Sequence, residues 1–212
     1  SIISDAKNKM IYPENFLSAY GNDYLKSIYA RVYAAYTEAL RANNAMDFDD
    51  LIMLTVKLFN ENEEILRFYQ NKFRYILVDE YQDTNHAQYS LISLLCRDNR
   101  NISVVGDDDQ SIYKFRGADI RNILEFEKEF PDAKVIRLER NYRSTQNILD
   151  AANGVIGNNI GRKGKKLWTA QDKGEPVRIY KADNEYSEAD FIAGKIDELK
   201  EKYSLSDIAV LF

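Results

Sequence analysis

Acidic residues that directly follow short apolar runs have the clearest chemical potential in this 212-residue chain. The run 75–78 is followed directly by Asp79 and Glu80, and the run 102–105 is followed by Gly106 and three consecutive aspartates. In a parallel α/β sheet, ligands bind at the carboxyl ends of the strands. An aspartate at such an end can hold Mg²⁺, and a neighbouring glutamate can orient or deprotonate an attacking water.

Other interpretations of these acids stay open at the level of single residues. An isolated Asp-Glu pair after a strand is more often a solvated turn. Asp79 and Asp107 together could also form a generic Mg²⁺-dependent nuclease site. Gln110 is placed to sense a terminal phosphate by a hydrogen bond, and a nuclease would leave this residue unexplained.

The pattern around these residues predicts an α/β fold. Apolar runs at 75–78, 102–105 and 134–138 alternate with helical stretches at about 85–96 and 119–130. Unbroken apolar strands that alternate with helices are typical of a parallel sheet covered on both faces. After a helix beginning near Ser144, further strands are predicted at 177–180 and 208–212, with a helix at about 189–199 between them.

The first third of the chain is predicted to be helical. A stripe of apolar residues at steps of three and four predicts a helix within 13–45; its members are Leu25, Ile28, Tyr29, Val32, Tyr36, Ala39 and Leu40. Asp47 is expected to cap a second helix, and a third is expected at about 62–72.

Composition limits the function classes. The chain is 45% hydrophobic and 30% charged, with a net charge of −5, so overall basicity cannot drive nucleic-acid binding. A single cysteine, Cys96, excludes an intramolecular disulfide and indicates a reducing, cytoplasmic compartment. A single histidine, His86, excludes His-based zinc sites. No apolar run has the roughly 20 residues that a membrane helix needs.

Three longer strings carry a family resemblance. They are VDEYQDTN at 78–85, VVGDDDQSIYKFRGA at 104–118 and LERNYRST at 138–145. In this order and with helix-sized separations, they closely resemble motifs II, III and IV of the UvrD/PcrA/Rep family of superfamily-one DNA helicases. The segments 47–51, 167–169 and 208–211 are similar to further stretches of that family, so the resemblance covers essentially the whole chain.

The resemblance implies an incomplete pair of RecA-like parallel sheets with flanking helices, of the P-loop NTPase type, preceded by a helical subdomain remnant. Residues 1–42 would be the end of an inserted helical subdomain. Residues 43–136 would be the later part of a first RecA-like core, and residues 137–212 the start of a second.

The resemblance also implies roles for particular residues in binding and hydrolysing ATP. Asp79 would bind Mg²⁺, Glu80 would activate water, and Gln110 would couple the γ-phosphate to the DNA site. Tyr142 would stack on the adenine, and Arg143 would act as an arginine finger across the interface of the two cores. Gln82 and Asp83 are expected to hold motif II together and link it to motif III, although a purely structural role fits them equally well.

DNA contacts are expected at Tyr113, Phe115 and Arg116. Aromatic faces stack on any base without sequence preference, which suits a translocating motor. The family usually has Trp at position 115, and core packing is the alternative for both aromatics. The basic cluster 162–166 is interpreted equally as a solvated loop or as a contact to the DNA backbone.

The implied activity is ATP-driven translocation on single-stranded DNA with 3′-to-5′ unwinding of duplex junctions, in DNA repair or replication and with proteins of those pathways as possible partners. No G-x-x-x-x-G-K-[ST] phosphate loop occurs in the chain, so this loop is expected upstream and the isolated fragment is expected to be inactive. A non-catalytic DNA-binding or protein-interaction module and the helicase part of a helicase–nuclease remain alternatives.

Overall fold

The computed structural model describes residues 1–159 and 164–212, and the side chain of Arg116 lies outside this description. The chain forms two compact units. Unit 1 comprises Ser1–Arg137 with Ile156–Lys165, and unit 2 comprises Leu138–Val155 with Lys166–Phe212. No helix in the described ranges combines the length and apolar character needed to cross a bilayer.

Unit 1 is a mixed unit of helices and a small sheet. Its helices and strands, in chain order, are α1 (Ile2–Asn8), α2 (Phe16–Tyr20), α3 (Tyr24–Ala42), α4 (Phe48–Glu61), α5 (Glu63–Lys72), β1 (Ile76–Val78), α6 (His86–Cys96), β2 (Ile102–Val104), α7 (Arg121–Leu124) and α8 (Phe126–Glu129). Short 3₁₀ turns at Tyr81–Asp83, Asp108–Gln110 and Lys114–Arg116 follow the two strands. Unit 2 contains α9 (Gln146–Ile156), which ends at the unit boundary, and α10 (Glu185–Leu199).

Helix starts follow the predicted capping chemistry. Asp47 accepts a hydrogen bond from the backbone N–H of Asp50 at 2.9 Å, and the Asp50 carboxylate accepts the N–H of Asp47 at 3.2 Å. This reciprocal capping box satisfies backbone donors that have no partner inside the helix. Asn85 and Gln88 form the same arrangement at α6. The predicted starts of α4 and α6 are therefore confirmed.

Two apolar clusters hold the helices of unit 1 together. Val56, Phe59, Leu66 and Leu94 join α4, α5 and α6. A second cluster packs Ala6 of α1, Phe16 of α2 and Tyr33 of α3. The Tyr33 hydroxyl donates to the carbonyl of Ile11 at 3.1 Å, so this buried ring keeps a partner for its polar end.

The sheet is a parallel pair. Ile76 aligns with Ile102 and Val78 with Val104, and the backbone N–H of Val105 donates to the Val78 carbonyl at 2.8 Å. The parallel arrangement predicted for the first two apolar runs is confirmed. Because parallel strands end at the same edge, the segments that follow β1 and β2 lie side by side.

Other predicted strands are absent from the described residues. The segments 134–138, 177–180 and 208–212 form no strand, and the side chain of Ile179 is 97% exposed. A strand needs a hydrogen-bonded neighbour to be stable. In the described residues these segments have no such ladder, and only an isolated bridge joins Arg140 to Trp168.

Helix boundaries and faces also differ from the expectation. The predicted helix 13–45 is divided at Gly21, which adopts a positive φ of 93°, and the helix at 119–130 is divided at Glu125. Helix α1 was not predicted. The predicted apolar stripe of α3 is exposed at Leu25, Tyr29 and Val32, whereas Tyr33 is buried against α1 and α2.

A buried ion cluster ties α1 to the start of α4. The Lys7 side chain is 1% exposed, and its Nζ lies 2.7 Å from both Asp47 Oδ2 and Asp50 Oδ1. The Tyr36 hydroxyl donates to the same Asp47 oxygen at 3.0 Å. Burial alone would lower the pKa of Lys7, but its hydrogen bonds to the two carboxylates outweigh burial and raise it.

Replacing Lys7 with Met should lower the free energy of unfolding by about 3–5 kcal/mol, because the buried Asp50 carboxylate and the partly buried Asp47 carboxylate then lose their cation. Urea denaturation measures this loss. Lys9→Met is the matched control: Lys9 pairs with Asp5 at the surface, so its loss should cost less than about 1 kcal/mol. Equal losses for the two variants would contradict a stabilising role of the Lys7 ion cluster.

The same cluster should respond to acid. Burial would raise the pKa of Asp47, but the bond from Lys7 and other hydrogen bonds lower it below its usual 3.8. The ionised Asp47 carboxylate therefore contributes to stability above pH 3.8, and this contribution is lost as the pH falls through the lowered pKa. Lys7→Met should reduce this acid-dependent part of the unfolding free energy.

Candidate active site

The candidate active site lies where β1 and β2 end. The backbone N–H of Tyr81 donates to the carbonyl of Val105 at 2.9 Å, so the chain after β1 stays attached to the end of β2. Asp79 and Glu80 follow β1 directly, and Asp107 follows β2 after Gly106. The sheet therefore brings both acidic segments to one edge, as the sequence predicts.

Asp79 and Glu80 occupy a sharp bend. Both side chains are exposed, and Asp79 Oδ1 accepts the backbone N–H of Glu80 at 2.9 Å. Glu80 adopts left-handed backbone angles, with φ 49° and ψ 42°. Such angles cost a non-glycine residue about 1–3 kcal/mol and concentrate at functional sites. The bend presents two carboxylates to solvent immediately after the strand.

Gln82 joins the two strand ends through its side chain. Its Nε2 donates to Glu80 Oε2 at 2.8 Å, and its Oε1 accepts the backbone N–H of Asp107 at 2.9 Å. The side chain is 1% exposed, so these bonds are shielded from water. The predicted link from the VDEYQDTN segment to the next motif is confirmed through Gln82.

Asp107 is the centre of a second group of hydrogen bonds. Its Oδ2 accepts Gln110 Nε2 at 2.7 Å, and its Oδ1 accepts the backbone N–H of Asp109 at 2.9 Å and forms an ion pair with Lys165 Nζ. Burial would raise the pKa of Asp107, but the bonds from Lys165 and Gln110 lower it. A continuous chain of hydrogen bonds thus runs from Glu80 through Gln82 and Asp107 to Gln110.

Lys165 was not predicted as part of this edge. The sequence predicts a basic loop at this position that is either solvated or bound to DNA, and in the structure the ammonium pairs with Asp107. Of that cluster, Arg162 and Lys163 lie outside the described residues. No spacing rule connects positions 107 and 165, so only the tertiary fold reveals the pair.

The carboxylate oxygens of Asp107, Asp108 and Asp109 lie within 4.8 Å of one another. Oxygen atoms are the ligands that Mg²⁺ prefers. Lys165 already balances part of this negative charge. Asp79 keeps its carboxylate exposed at the end of β1, which fits the predicted Mg²⁺ ligand better than the three consecutive aspartates do.

Tyr113 and Phe115 form an exposed aromatic pair on the loop after Gln110. Their ring centroids are 6.0 Å apart, and Phe115 is 78% exposed. The alternative prediction that Phe115 packs in the core is therefore wrong. Tyr113 precedes the turn Lys114–Arg116, which contains Phe115 and ends at Gly117, whose φ of 90° favours glycine. The side chain of Arg116, for which a DNA contact is predicted, is not among the described side chains.

Tyr142 and Arg143 lie in unit 2, on a turn built by Asn141. The Asn141 side chain accepts the backbone N–H groups of Arg143 and Ser144 at 2.9 and 2.8 Å. The Arg140 guanidinium lies 4.8 Å from the centroid of the Tyr142 ring, which is 74% exposed. Both side chains are thus presented to solvent, and their predicted roles in ATP binding stay predictions.

Comparison with known proteins identifies the family. Residues 1–131 match the UvrD/REP helicase N-terminal domain, and residues 136–212 match the UvrD-like helicase C-terminal domain. The chain therefore belongs to the UvrD/REP helicase family, as the motif resemblance indicates.

Relatives of known function agree with this placement. The chain is 55% identical to the ATP-dependent DNA helicase PcrA of Bacillus subtilis over 99% of its own length. It is 50% identical to PcrA of Leuconostoc citreum and 51% identical to PcrA of Staphylococcus aureus. It spans 29%, 28% and 29% of these three proteins, respectively.

Gly106→Ala tests the close packing between the strand ends. A Cβ at Gly106 would lie 2.6 Å from Gln82 Oε1 and 2.8 Å from Ile123 Cδ1, so the Gln82 bridge must shift. We expect a loss of about 1–3 kcal/mol in unfolding free energy, as for other overpacked sites, measured by urea denaturation.

Gly194→Ala is the control for this substitution. A Cβ at Gly194, within α10, meets no atom within 4 Å, so alanine should stabilise this helix by about 0.5–1 kcal/mol. A neutral or stabilising effect of Gly106→Ala would contradict the packing described for the strand ends.

Proposed function

We propose that this chain is the part of an ATP-dependent DNA helicase that couples the terminal phosphate of ATP to single-stranded DNA. The observation that carries this proposal is the hydrogen-bonded chain Glu80–Gln82–Asp107–Gln110 at the ends of two parallel strands. The aromatic pair follows only three to five residues after Gln110. In a member of the UvrD/REP family, this arrangement fits 3′-to-5′ translocation and unwinding of duplex junctions.

The proposed architecture follows the motif positions. Residues 1–42 belong to an inserted helical subdomain, residues 43–136 to a first RecA-like core and residues 137–212 to a second. The parallel pair β1–β2 supports the assignment of residues 43–136 to a RecA-like core, because such a core is built on a parallel sheet.

Asp79 and Glu80 serve hydrolysis. Asp79 holds the Mg²⁺ of Mg–ATP, which neutralises charge on the phosphate oxygens when bound. Glu80 orients the attacking water and accepts its proton. Because Gln82 donates to one Glu80 oxygen, it restricts the rotation of that carboxylate and leaves the other oxygen to face the water.

Gln110 connects hydrolysis to DNA. Its amide nitrogen has two hydrogens, and one is donated to Asp107. The second hydrogen is directed to the γ-phosphate. When the phosphate leaves, the loop between Gln110 and Phe115 changes its contacts with DNA, where Tyr113, Phe115 and Arg116 bind the strand. Base stacking on each aromatic contributes about 1–3 kcal/mol.

Unit 2 supplies the remaining contacts to ATP. Tyr142 stacks on the adenine, and Arg143 contacts the γ-phosphate as an arginine finger. Fingers of this kind accelerate phosphoryl transfer by about 10³–10⁵. The Asn141 turn supports both assignments, because it holds the backbone of Arg143 while the two side chains remain exposed.

A non-catalytic role is the second candidate for the isolated chain. The 212 residues contain no G-x-x-x-x-G-K-[ST] loop to cradle the phosphates. We infer that the chain alone binds DNA weakly and hydrolyses ATP inefficiently, and that the activity belongs to the full-length protein. A role in DNA repair or replication fits a cytoplasmic location. The single cysteine fits the same reducing compartment.

DNA-stimulated ATP hydrolysis by the full-length protein tests the proposal. Glu80→Gln should lower kcat by about 10²–10⁴, the usual contribution of a general base, while ATP still binds. Phe115→Ala should raise the DNA concentration needed for half-maximal stimulation by about 5- to 150-fold, which corresponds to one lost stacking contact. Phe48→Ala, which removes an equally large exposed ring from α4, should leave both values unchanged.

Undiminished turnover in Glu80→Gln would contradict the assigned base. Equal effects of Phe115→Ala and Phe48→Ala would contradict the DNA platform. Efficient ATP turnover by the isolated 212-residue chain that is lost on Glu80→Gln would contradict the proposed dependence on a phosphate loop elsewhere in the protein.

A further inference from the structure

The ion pair between Lys165 and Asp107 has no role in the function proposed above. Lys165 is the last residue of the second chain segment that belongs to unit 1. Its Nζ contacts Asp107 Oδ1, and both side chains are only 20% exposed. This shielding distinguishes the pair from fully solvated surface ion pairs, which contribute little because water screens them.

Asp107 controls the orientation of the Gln110 amide. A carboxylate only accepts hydrogen bonds, so the Gln110 side chain must turn its NH₂ group, and not its carbonyl oxygen, toward Asp107 Oδ2. The second N–H of that group then has a defined direction. A reversed amide would present the carbonyl oxygen to Asp107, and two acceptors would face each other.

Lys165 controls the orientation of Asp107. The terminal torsion of an aspartate is broad and roughly two-fold, so the carboxylate is not oriented by its own covalent geometry. The backbone N–H of Asp109 and the ammonium of Lys165 both contact Oδ1, which leaves Oδ2 facing Gln110. The ammonium also stabilises the charge on this partly buried carboxylate, whose pKa is lowered.

We propose that Lys165 is a positioning residue that acts through Asp107 to hold the amide of Gln110 in the orientation that donates a hydrogen bond to the terminal phosphate of ATP. This inference rests on the proposed function for the phosphate contact itself. The orientation of Gln110 by Lys165 is a property of the chain alone and is measurable without ATP.

Side-chain amide NMR of Gln110 in the 212-residue chain is the first test. Lys165→Met removes the charge and keeps the length, and it should move the Gln110 Nε2–H signals toward those of a solvated glutamine. Lys165→Arg keeps a cation and should restore them. Lys134→Met, at an exposed lysine of unit 1 with no assigned role, should leave them unchanged.

Steady-state ATP hydrolysis by the full-length protein is the second test. Lys165→Met should lower kcat by about 10-fold, the lower range for loss of a residue that orients a functional group, with the KM for ATP unchanged. Lys165→Arg should recover most of the rate, and Lys134→Met should match the wild type. A merely structural lysine would not produce this separation of kcat from KM.

The outcomes separate this inference from the proposed function. Gln110 signals that are identical in the wild type and Lys165→Met would overturn the positioning role, and so would an unchanged kcat in an active enzyme. A wild-type full-length protein without ATPase activity would contradict the proposed function, and the NMR response would still decide whether Lys165 orients Gln110.

Discussion

The buried amide of Gln82 is the contact on which the rest of the candidate site depends. Backbone pairing aligns β1 and β2 as far as Val78 and Val105, and one further backbone bond joins Tyr81 to Val105. Beyond that point, the Gln82 side chain joins Glu80 to the backbone of Asp107. An amide suits this position because it donates with one end and accepts with the other, which a carboxylate or an apolar side chain cannot do.

This contact is shielded from water, because helix α7 lies against the turn Tyr81–Asp83 and Gln82 is only 1% exposed. Elsewhere in unit 1, an apolar cluster joins α4, α5 and α6, and the Lys7 ion cluster fixes α1 against the start of α4. These contacts contribute stability, whereas the strand ends contain a left-handed Glu80 and closely packed groups at Gly106. Packing elsewhere in unit 1 thus offsets the cost of the left-handed backbone at Glu80.

Local signals predicted the Asp47 cap, the approximate start of α6 and the parallel strand pair, because capping residues and short apolar runs act through neighbouring residues. The position of the candidate site was also predictable, since strand ends and motif strings place Asp79, Glu80 and Gln110 there. The segment 134–138 was wrongly predicted as a strand, because strand formation depends on a partner distant in sequence. The Lys7 and Lys165 ion pairs join positions 40 and 58 residues apart, which no sequence period connects.

Hydrogen exchange at the backbone amide of Asp107 shows whether the Gln82 side chain holds the ends of β1 and β2 together. In the 212-residue chain, this amide donates to the Gln82 side chain, and it should be protected to an extent similar to the Val105 amide, which donates to Val78. In Gln82→Ala, the Asp107 amide should lose its protection while Val105 retains it. Exchange of the wild-type Asp107 amide at the rate of an open loop, or protection that survives Gln82→Ala, would contradict this role of Gln82.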